Sequence, residues 1–159
     1  QAFISAEDKR FLKHYGIDIL GLIRASLINL KNGSIVEGGS TITQQASRLI
    51  FLNNELSLFR KIKEILISLI MDLRFSKNQI LKIYLNKIYL GSGANGINEA
   101  AKIYFGKFIH ELTLSEVALL AGLTPAPSIY SPYKNYDLAI QNRNKVLNSL
   151  YKNGFINKK

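Results

Sequence analysis

Two adjacent acids near the start of the chain could supply a general base. Glu7 and Asp8 precede Phe11 and His14 within one short segment. A carboxylate can accept a proton during a reaction, and a neighbouring ring and imidazole adjust its proton affinity. The same residues also fit an ordinary helical turn, with its acids near the positive N-terminal end. The segment alone leaves a catalytic and a structural role open.

A glycine pair followed by hydroxyl and amide side chains could bind an anion or a sugar. Gly38 and Gly39 precede the run Ser-Thr-Ile-Thr-Gln-Gln at residues 40–45. Glycine lets a backbone approach a ligand closely, and free amides at a helix start favour anions. The run lacks the Gly-Lys-Ser/Thr ending of a nucleotide-binding P-loop. Thr41 and Gln44 also have the spacing of a capping box, which is a purely structural device.

A third cluster combines two cations with one carboxylate. Arg60 and Glu64 lie one helical turn apart, with Lys61 close by. As a solvated pair they would contribute only a few tenths of a kcal/mol, roughly. As a carboxylate beside a cationic cluster they could hold an oxyanion. Between residues 60 and 87 only Glu64 and Asp72 oppose seven basic residues: Arg60, Lys61, Lys63, Arg74, Lys77, Lys82 and Lys87.

The amino-acid composition excludes several classes of protein and of site. The 159 residues carry a net charge of +10, which calls for an anionic partner such as nucleic acid, lipid or phosphate. The absence of cysteine excludes disulfides and a cysteine nucleophile, and two histidines make a multi-histidine zinc centre a poor fit. A hydrophobic content of 47% excludes a disordered tail, and the length fits a single domain over residues 1–159. The densest apolar run, residues 65–71, is too short to span a membrane.

The elements that must position these clusters are helices. Apolar residues recur at helical spacing, strand alternation is scarce, and the three prolines fall within residues 125–132. Leu20, Ile23, Leu27 and Leu30 would form one apolar helix face. We predict a mainly α chain with little or no sheet and an extended proline arm. The predicted helices cover about 18–30, 41 to 53–54, 58–75, 76–89, a short stretch to 104, 113–120 and 137–152.

Taken in order, the clusters resemble the motifs of the peptidoglycan glycosyltransferases, glycosyltransferase family 51. This family comprises monofunctional transglycosylases and the glycosyltransferase domains of class A penicillin-binding proteins. The three clusters above resemble its first three motifs. The segment 80–91, with Tyr84, Asn86 and Gly91, is similar to the fourth, and the segment 114–132 is similar to the fifth. Five motifs in order over nearly the whole chain make the resemblance specific.

The resemblance implies both a fold and a reaction. The fold would be mainly α, a lysozyme-like helical head with a smaller hydrophobic, membrane-associated jaw lobe at about residues 49–59. The reaction would polymerise lipid II into glycan strands. The 4-hydroxyl of the acceptor GlcNAc would attack C1 of the donor MurNAc, which is linked to undecaprenyl pyrophosphate, with inversion.

The resemblance also assigns roles to residues. Glu7 would be the general base. Glu64 would position the cations, hold a divalent cation (Mg²⁺ or Mn²⁺), or do both. The leaving pyrophosphate would be neutralised by Arg48, Arg60, Lys61 and Lys63. The remaining predicted substrate-binding residues are Asp8, Phe11, His14, Gly39, Ser40, Thr41, Gln44, Gln45 and Asn86.

Partners and location follow from the same resemblance. We expect lipid II and the growing lipid-linked glycan, an anionic membrane surface, a transpeptidase domain or other cell-wall synthesis proteins, and no nucleic acid. The place would be the outer face of the bacterial cytoplasmic membrane, with an anchor preceding this segment. A non-catalytic module that binds lipid II or membrane is the alternative, because Leu49 and Lys82 depart from the family pattern. A basic nucleic-acid binder is a third reading, although no helix-turn-helix or stacking signature supports it.

Overall fold

The computed structural model describes residues 1–34, 38–52 and 57–157, and these residues form helices and no β-strand. Two isolated bridges, Tyr15 with Ile17 and Tyr89 with Asn95, are the β-type pairings that the described residues make. The predicted mainly α fold is confirmed. The helices are α1 (Ala2–Glu7), α2 (Ile19–Asn32), α3 (Ile42–Phe51), α4 (Leu58–Arg74), α5 (Lys77–Lys87), α6 (Ile97–Phe105), α7 (Leu114–Leu123), α8 (Pro127–Tyr130) and α9 (Tyr136–Lys152).

The chain divides into two compact units. We call Arg10–Tyr84 the central unit, and Gln1–Lys9 together with Leu85–Lys159 the terminal unit. The single domain of residues 1–159 and the jaw at 49–59 stay predictions. Part of that jaw, residues 53–56, lies outside the described residues, as does the predicted helix end at Asn53 and Asn54.

The terminal unit is built around α7. This helix packs against α9, and α1 packs against both of them. Its second half is buried without a break from Ala118 to Leu123. A β-carbon on Gly122 would lie 2.9 Å from the backbone carbon of Asn142, so glycine lets α9 approach this closely. The capping box of Thr113 and Glu116 begins the helix, at the start of the predicted helix over 113–120.

The central unit contains a helix with an inverted pattern. In α4, which packs against α3, Glu64 and Ser68 are fully buried. Met71 is the apolar side chain of the same helix that is buried with them. Six other apolar side chains of α4 are exposed instead: Phe59, Ile62, Leu66, Leu69, Ile70 and Leu73. An amphipathic helix in water normally buries its apolar face. This face of α4 therefore lacks a covering among the described residues.

Helix α2 has the same property. Its apolar face, predicted from Leu20, Ile23, Leu27 and Leu30, exists but is exposed, from 51% at Ile23 to 81% at Leu30. The buried residues of this helix are Gly21 and Ala25. Small residues thus make the contact with the protein, and the large ones face outward. None of the described helices is both long and apolar enough to cross a bilayer.

Two local predictions are wrong. The proline segment is not an extended arm throughout, because Pro127 opens the short helix α8, where its missing N–H costs nothing. Glu7 and Asp8 do not lie at a helix N-terminus. Glu7 is the last residue of α1, and Asp8 follows as its C-cap, with its backbone N–H donating to the carbonyl of Ile4. The structural reading of these acids as N-terminal charges therefore fails.

Candidate functional site

Glu64 is the centre of a buried ion cluster in the central unit. Its side chain is 0% exposed. Nη1 of Arg60 lies 2.6 Å from Oε2, and Nζ of Lys61 bonds the other carboxylate oxygen. Nζ of Lys61 also donates to Oγ of Ser40, at 2.9 Å. Helix α4 thereby brings the second and third sequence motifs together.

The cluster has an excess of positive charge. Two cations share one carboxylate, and the side chains of Arg60 and Lys61 remain 12% and 34% exposed. A buried carboxylate needs such partners, because an isolated charge out of water is strongly unfavourable. The carboxylate in turn fixes both cations in place. The arrangement is suited to bind an oxyanion through charge-assisted hydrogen bonds.

The residues around Glu64 do not fit a divalent cation held by the protein. Each carboxylate oxygen is already bonded to a cation. Among the described residues, no group of three His, Cys, Asp or Glu side chains could hold a metal ion. Mg²⁺ prefers six oxygen ligands in octahedral geometry. A metal ion that displaced Lys61 or Arg60 from Glu64 would also leave the positive charge of that side chain without its carboxylate partner.

A second network holds the segment that follows the first motif. Asp72 accepts a hydrogen bond from the backbone N–H of Gly16 and another, at 2.6 Å, from Nζ of Lys77. The same Lys77 nitrogen donates to the carbonyl of His14 at 2.6 Å and lies 4.8 Å from the ring centroid of Phe11. Lys77 and Asp72 therefore fix Phe11, His14 and Gly16 as one rigid group.

Thr41 and Gln44 complete this network from α3. The two form the predicted capping box, with Oγ1 of Thr41 accepting from the Gln44 N–H and Oε1 of Gln44 accepting from the Thr41 N–H. Oγ1 of Thr41 also donates to the carbonyl of Gly16, at 2.6 Å. Thr41 is 2% exposed and Gln44 is 0% exposed. The structure gives both residues a structural task, and contact with substrate stays a prediction for them.

Gly16 is required by this arrangement, and its replacement gives a direct test. Its φ is +75°, and a β-carbon there would lie 2.7 Å from the carbonyl oxygen of Ser68. We expect Gly16→Ala to lower the free energy of unfolding by roughly 2–5 kcal/mol, since left-handed strain and overpacking add. The measurement is urea denaturation followed by circular dichroism.

Gly33→Ala is the matched control for Gly16→Ala. Gly33 has a similar φ of +63°, but its β-carbon would meet nothing within 4 Å. This variant should lose only the strain, about 1–2 kcal/mol. Equal losses in the two variants would contradict the close contact between Gly16 and α4.

Glu7 lies in the terminal unit, at the end of α1. The single proton of the Thr124 hydroxyl is shared between two acceptors, Oε1 of Glu7 and the carbonyl of Ala121, the latter at 2.9 Å. Glu7 is half-buried, so its carboxylate is held in place and remains within reach of solvent. An oriented carboxylate of this kind can accept a proton.

The other predicted residues differ in exposure. Asp8 and His14 are buried, each with 6% of its surface exposed. Phe11 is 1% exposed, and its ring lies edge-on to His14. Lys63 and Asn86 are exposed, and the Lys63 ammonium lies 4.4 Å from the ring centroid of Phe59. Half-buried side chains or backbone belong to Gly39, Ser40, Gln45 and Arg48.

Sequence reasoning missed three residues. Asp72 and Lys77 entered it only as charges, and Thr124 did not enter it. The one available signal was that Asp72 is the second of two acids in a strongly basic stretch. An acid in such a stretch suggests a specific hydrogen-bond partner. In the structure Asp72 accepts from Nζ of Lys77 and from the Gly16 N–H.

Known proteins give an independent comparison. The transglycosylase family profile matches residues 1–151. Penicillin-binding protein 1A of Aquifex aeolicus is 48% identical over 155 residues, covering 98% of this chain and 21% of that protein. Penicillin-binding protein 1A of Escherichia coli is 46% identical over 156 residues, covering 98% and 18%. The chain spans about a fifth of the length of these curated relatives.

A solved structure agrees with these matches. The crystal structure of penicillin-binding protein 1A from Haemophilus influenzae has a TM-score of 0.51 and 34% sequence identity to this chain. It covers 74% of this chain, which in turn covers 14% of that one. The mainly α fold is therefore shared with this penicillin-binding protein. With the family profile extending from residue 1 to residue 151, the chain belongs to the transglycosylase family.

Proposed function

We propose that this chain is a peptidoglycan glycosyltransferase that polymerises lipid II. Family membership supports the reaction class. The observation that carries the proposal is the buried carboxylate of Glu64, which holds Arg60 and Lys61 beside Ser40. A fixed pair of cations with one excess positive charge suits a pyrophosphate, which carries dense negative charge.

In the proposed reaction Glu7 acts as the general base. Its carboxylate takes the proton from the 4-hydroxyl of the acceptor GlcNAc as that oxygen attacks C1 of the donor MurNAc. The bond between C1 and the pyrophosphate oxygen breaks, and its electron pair leaves with undecaprenyl pyrophosphate. Attack from the face opposite to the leaving group converts the α linkage into a β linkage. The hydroxyl of Thr124 would keep one oxygen of Glu7 oriented during proton transfer.

Arg60 and Lys61 would stabilise the departing pyrophosphate. Their charges are already positioned by Glu64, so little reorganisation is needed when negative charge develops. Arg48, half-buried on α3, would add a planar guanidinium suited to two phosphate oxygens. Lys63 is exposed above Phe59, which favours a contact at the edge of the site.

A divalent cation, Mg²⁺ or Mn²⁺, enters the proposal only as a companion of the substrate. The residues at Glu64 do not fit it, so pyrophosphate oxygens and water would be its ligands. Every step above uses side chains of the chain itself.

We also propose that the exposed apolar faces of α2 and α4 lie against the outer leaflet of the cytoplasmic membrane. The outward side chains of α4 form a stripe along the helix, with the exposed cations Lys63 and Arg74 beside it. Apolar side chains would enter the acyl region while the basic ones bind anionic headgroups. Such a position would give the enzyme access to a lipid-linked substrate.

The test of the function is polymerisation of labelled lipid II, resolved on a gel with Mg²⁺ and with a chelator. Long products that lysozyme digests are the expected result. Binding of lipid II without any product would favour the non-catalytic module instead. Failure to bind lipid II would reject the proposal.

A further inference from the structure

A cavity of about 360 Å³ opens on the terminal unit, between α6, α7, the loop before α9 and α9 itself. Its volume lies within the range of about 300–1,000 Å³ that is usual for small-molecule sites. Four aromatic rings and two charged side chains contribute to its lining: Tyr104, Phe105, Tyr133, Tyr136, Glu116 and Arg143. None of these residues has a part in the proposed reaction.

Two tyrosines of this cavity, Tyr104 and Tyr133, use their hydroxyls to bond backbone carbonyls of the protein. Tyr133 is 67% exposed, yet its hydroxyl donates to the carbonyl of Ile103 at 2.7 Å. Its ring stacks on Tyr104, with centroids 5.4 Å apart and planes 25° apart. The hydroxyl of Tyr104 donates to the carbonyl of Leu90, at 2.9 Å. A surface tyrosine usually turns its polar end to water, so these two are held as flat apolar surfaces.

Charged groups of opposite sign accompany the rings. Hydrogen bonding by Lys107 lowers the pKa of Glu116 to about 2, so this carboxylate is ionised at neutral pH. Arg143 donates from Nε and Nη2 to the side-chain oxygen of Asn144, at 3.1 and 2.9 Å, which fixes the plane of its guanidinium. Oε1 of Glu116 accepts from Nζ of Lys107, and Oε2 accepts from the N–H and the hydroxyl of Thr113. A carboxylate has about four acceptor sites, so the cavity combines apolar flat surfaces with one remaining carboxylate acceptor site and one guanidinium donor.

We propose that this cavity binds a β-1,4-linked N-acetylhexosamine chain. The C–H faces of such sugars pack on aromatic rings, and their hydroxyl and acetamido groups both donate and accept hydrogen bonds. The choice of this sugar rests on the proposed function, whose product is a glycan of that class. The surface would hold part of the polymer outside the reacting centre.

A proline-rich peptide fits the cavity less well. Grooves that bind such peptides use aromatic rings and also polar groups that bond the peptide carbonyls. Here the hydroxyls of Tyr104 and Tyr133 are occupied by backbone carbonyls of the protein itself. The carboxylate of Glu116 would face peptide carbonyls without a proton to share, whereas a sugar hydroxyl can donate to it.

The probe is chitohexaose, which is soluble and carries neither lipid nor peptide. Titrated into the ¹⁵N-labelled chain, it should shift amide resonances of α9 and of the 132–136 segment. Tyr136 is 65% exposed, so Tyr136→Ala removes a ring without opening the core. We expect this variant to weaken binding about tenfold, and Tyr136→Phe to restore it, because the ring face makes the contact.

Tyr151→Ala is the matched control. Tyr151 is an exposed tyrosine of the same helix, about 22 Å from Tyr136 along the helix axis. The Tyr151→Ala variant should bind chitohexaose normally. Absence of shifts at millimolar sugar, shifts confined to other surfaces, or shifts by a proline-rich peptide alone would overturn the proposal. Lipid II polymerisation measured on the same preparation separates this result from the proposed function. Polymerisation without chitohexaose binding rejects the sugar site alone.

Discussion

Glu7→Gln should reduce the polymerisation of lipid II by about a hundredfold to ten-thousandfold, the usual contribution of a general base. An amide cannot take the proton from the attacking hydroxyl. The amide oxygen can still accept the Thr124 hydroxyl that now bonds Oε1 of Glu7. We therefore expect the free energy of unfolding to change by less than about 1 kcal/mol. The measurements are the initial rate on labelled lipid II and a urea denaturation curve.

Asp137→Asn is the control for Glu7→Gln. It makes the same change from carboxylate to amide at an exposed residue in the first turn of α9, also in the terminal unit. It should lose at most a few tenths of a kcal/mol, roughly, from the helix dipole and keep full activity. Normal polymerisation by Glu7→Gln would remove Glu7 from the mechanism and leave it as a structural partner of Thr124.

Helix boundaries were predictable because the chain marks them locally. Thr41 with Gln44, Ser76 with Gln79, and Thr113 with Glu116 all form reciprocal hydrogen bonds at helix starts. Each pair is three residues apart, so its geometry needs no distant contact. The predicted helix over 58–75 agrees with Leu58–Arg74, where the Ser57 side chain accepts a hydrogen bond from the Arg60 N–H.

The sequence pattern did not predict which face of a helix packs against the protein. Periodicity shows that α4 has an apolar face and a polar face, but not which of them meets the protein. In water the apolar face should be buried, yet Leu66 and Leu73 are exposed at 54% and 80%. Burial of Glu64 reverses the usual order, because its charge is neutralised by Arg60 and Lys61. The ion cluster therefore allows the polar face of the helix to lie against the protein.

The site was predictable only as far as short motifs reach. Arg60, Lys61 and Glu64 lie on one turn, so sequence spacing was enough to group them. Asp72 meets Gly16 across 56 residues, and Thr124 meets Glu7 across 117. Contacts of this span depend on the packing of several helices, and nothing in the local sequence marks them. Residues that hold the predicted ones in place are therefore the part that needed the structure.

Glu64→Gln should nearly abolish polymerisation and also destabilise the central unit. The amide cannot neutralise Arg60 and Lys61, which both bond the carboxylate now. Breaking a buried ion pair costs about 3–5 kcal/mol in the free energy of unfolding. Activity should be lost even where the variant is fully folded, because the two cations would no longer be held beside Ser40 for the pyrophosphate. The measurements are lipid II polymerisation at low temperature and urea denaturation.

Lys107→Gln shows what an ordinary ion pair contributes. It breaks the Lys107–Glu116 pair, whose side chains are 39% and 19% exposed, and should lower the free energy of unfolding far less than Glu64→Gln, with full activity. A titration with Mg²⁺ tests the conclusion that Glu64 organises cations and does not hold a metal ion. If Glu64 organises the two cations, added Mg²⁺ should not restore the activity of Glu64→Gln. If Glu64 were a metal ligand, Glu64→Gln would regain activity at high Mg²⁺. Normal polymerisation by Glu64→Gln at every Mg²⁺ concentration would reduce Glu64 to a structural charge.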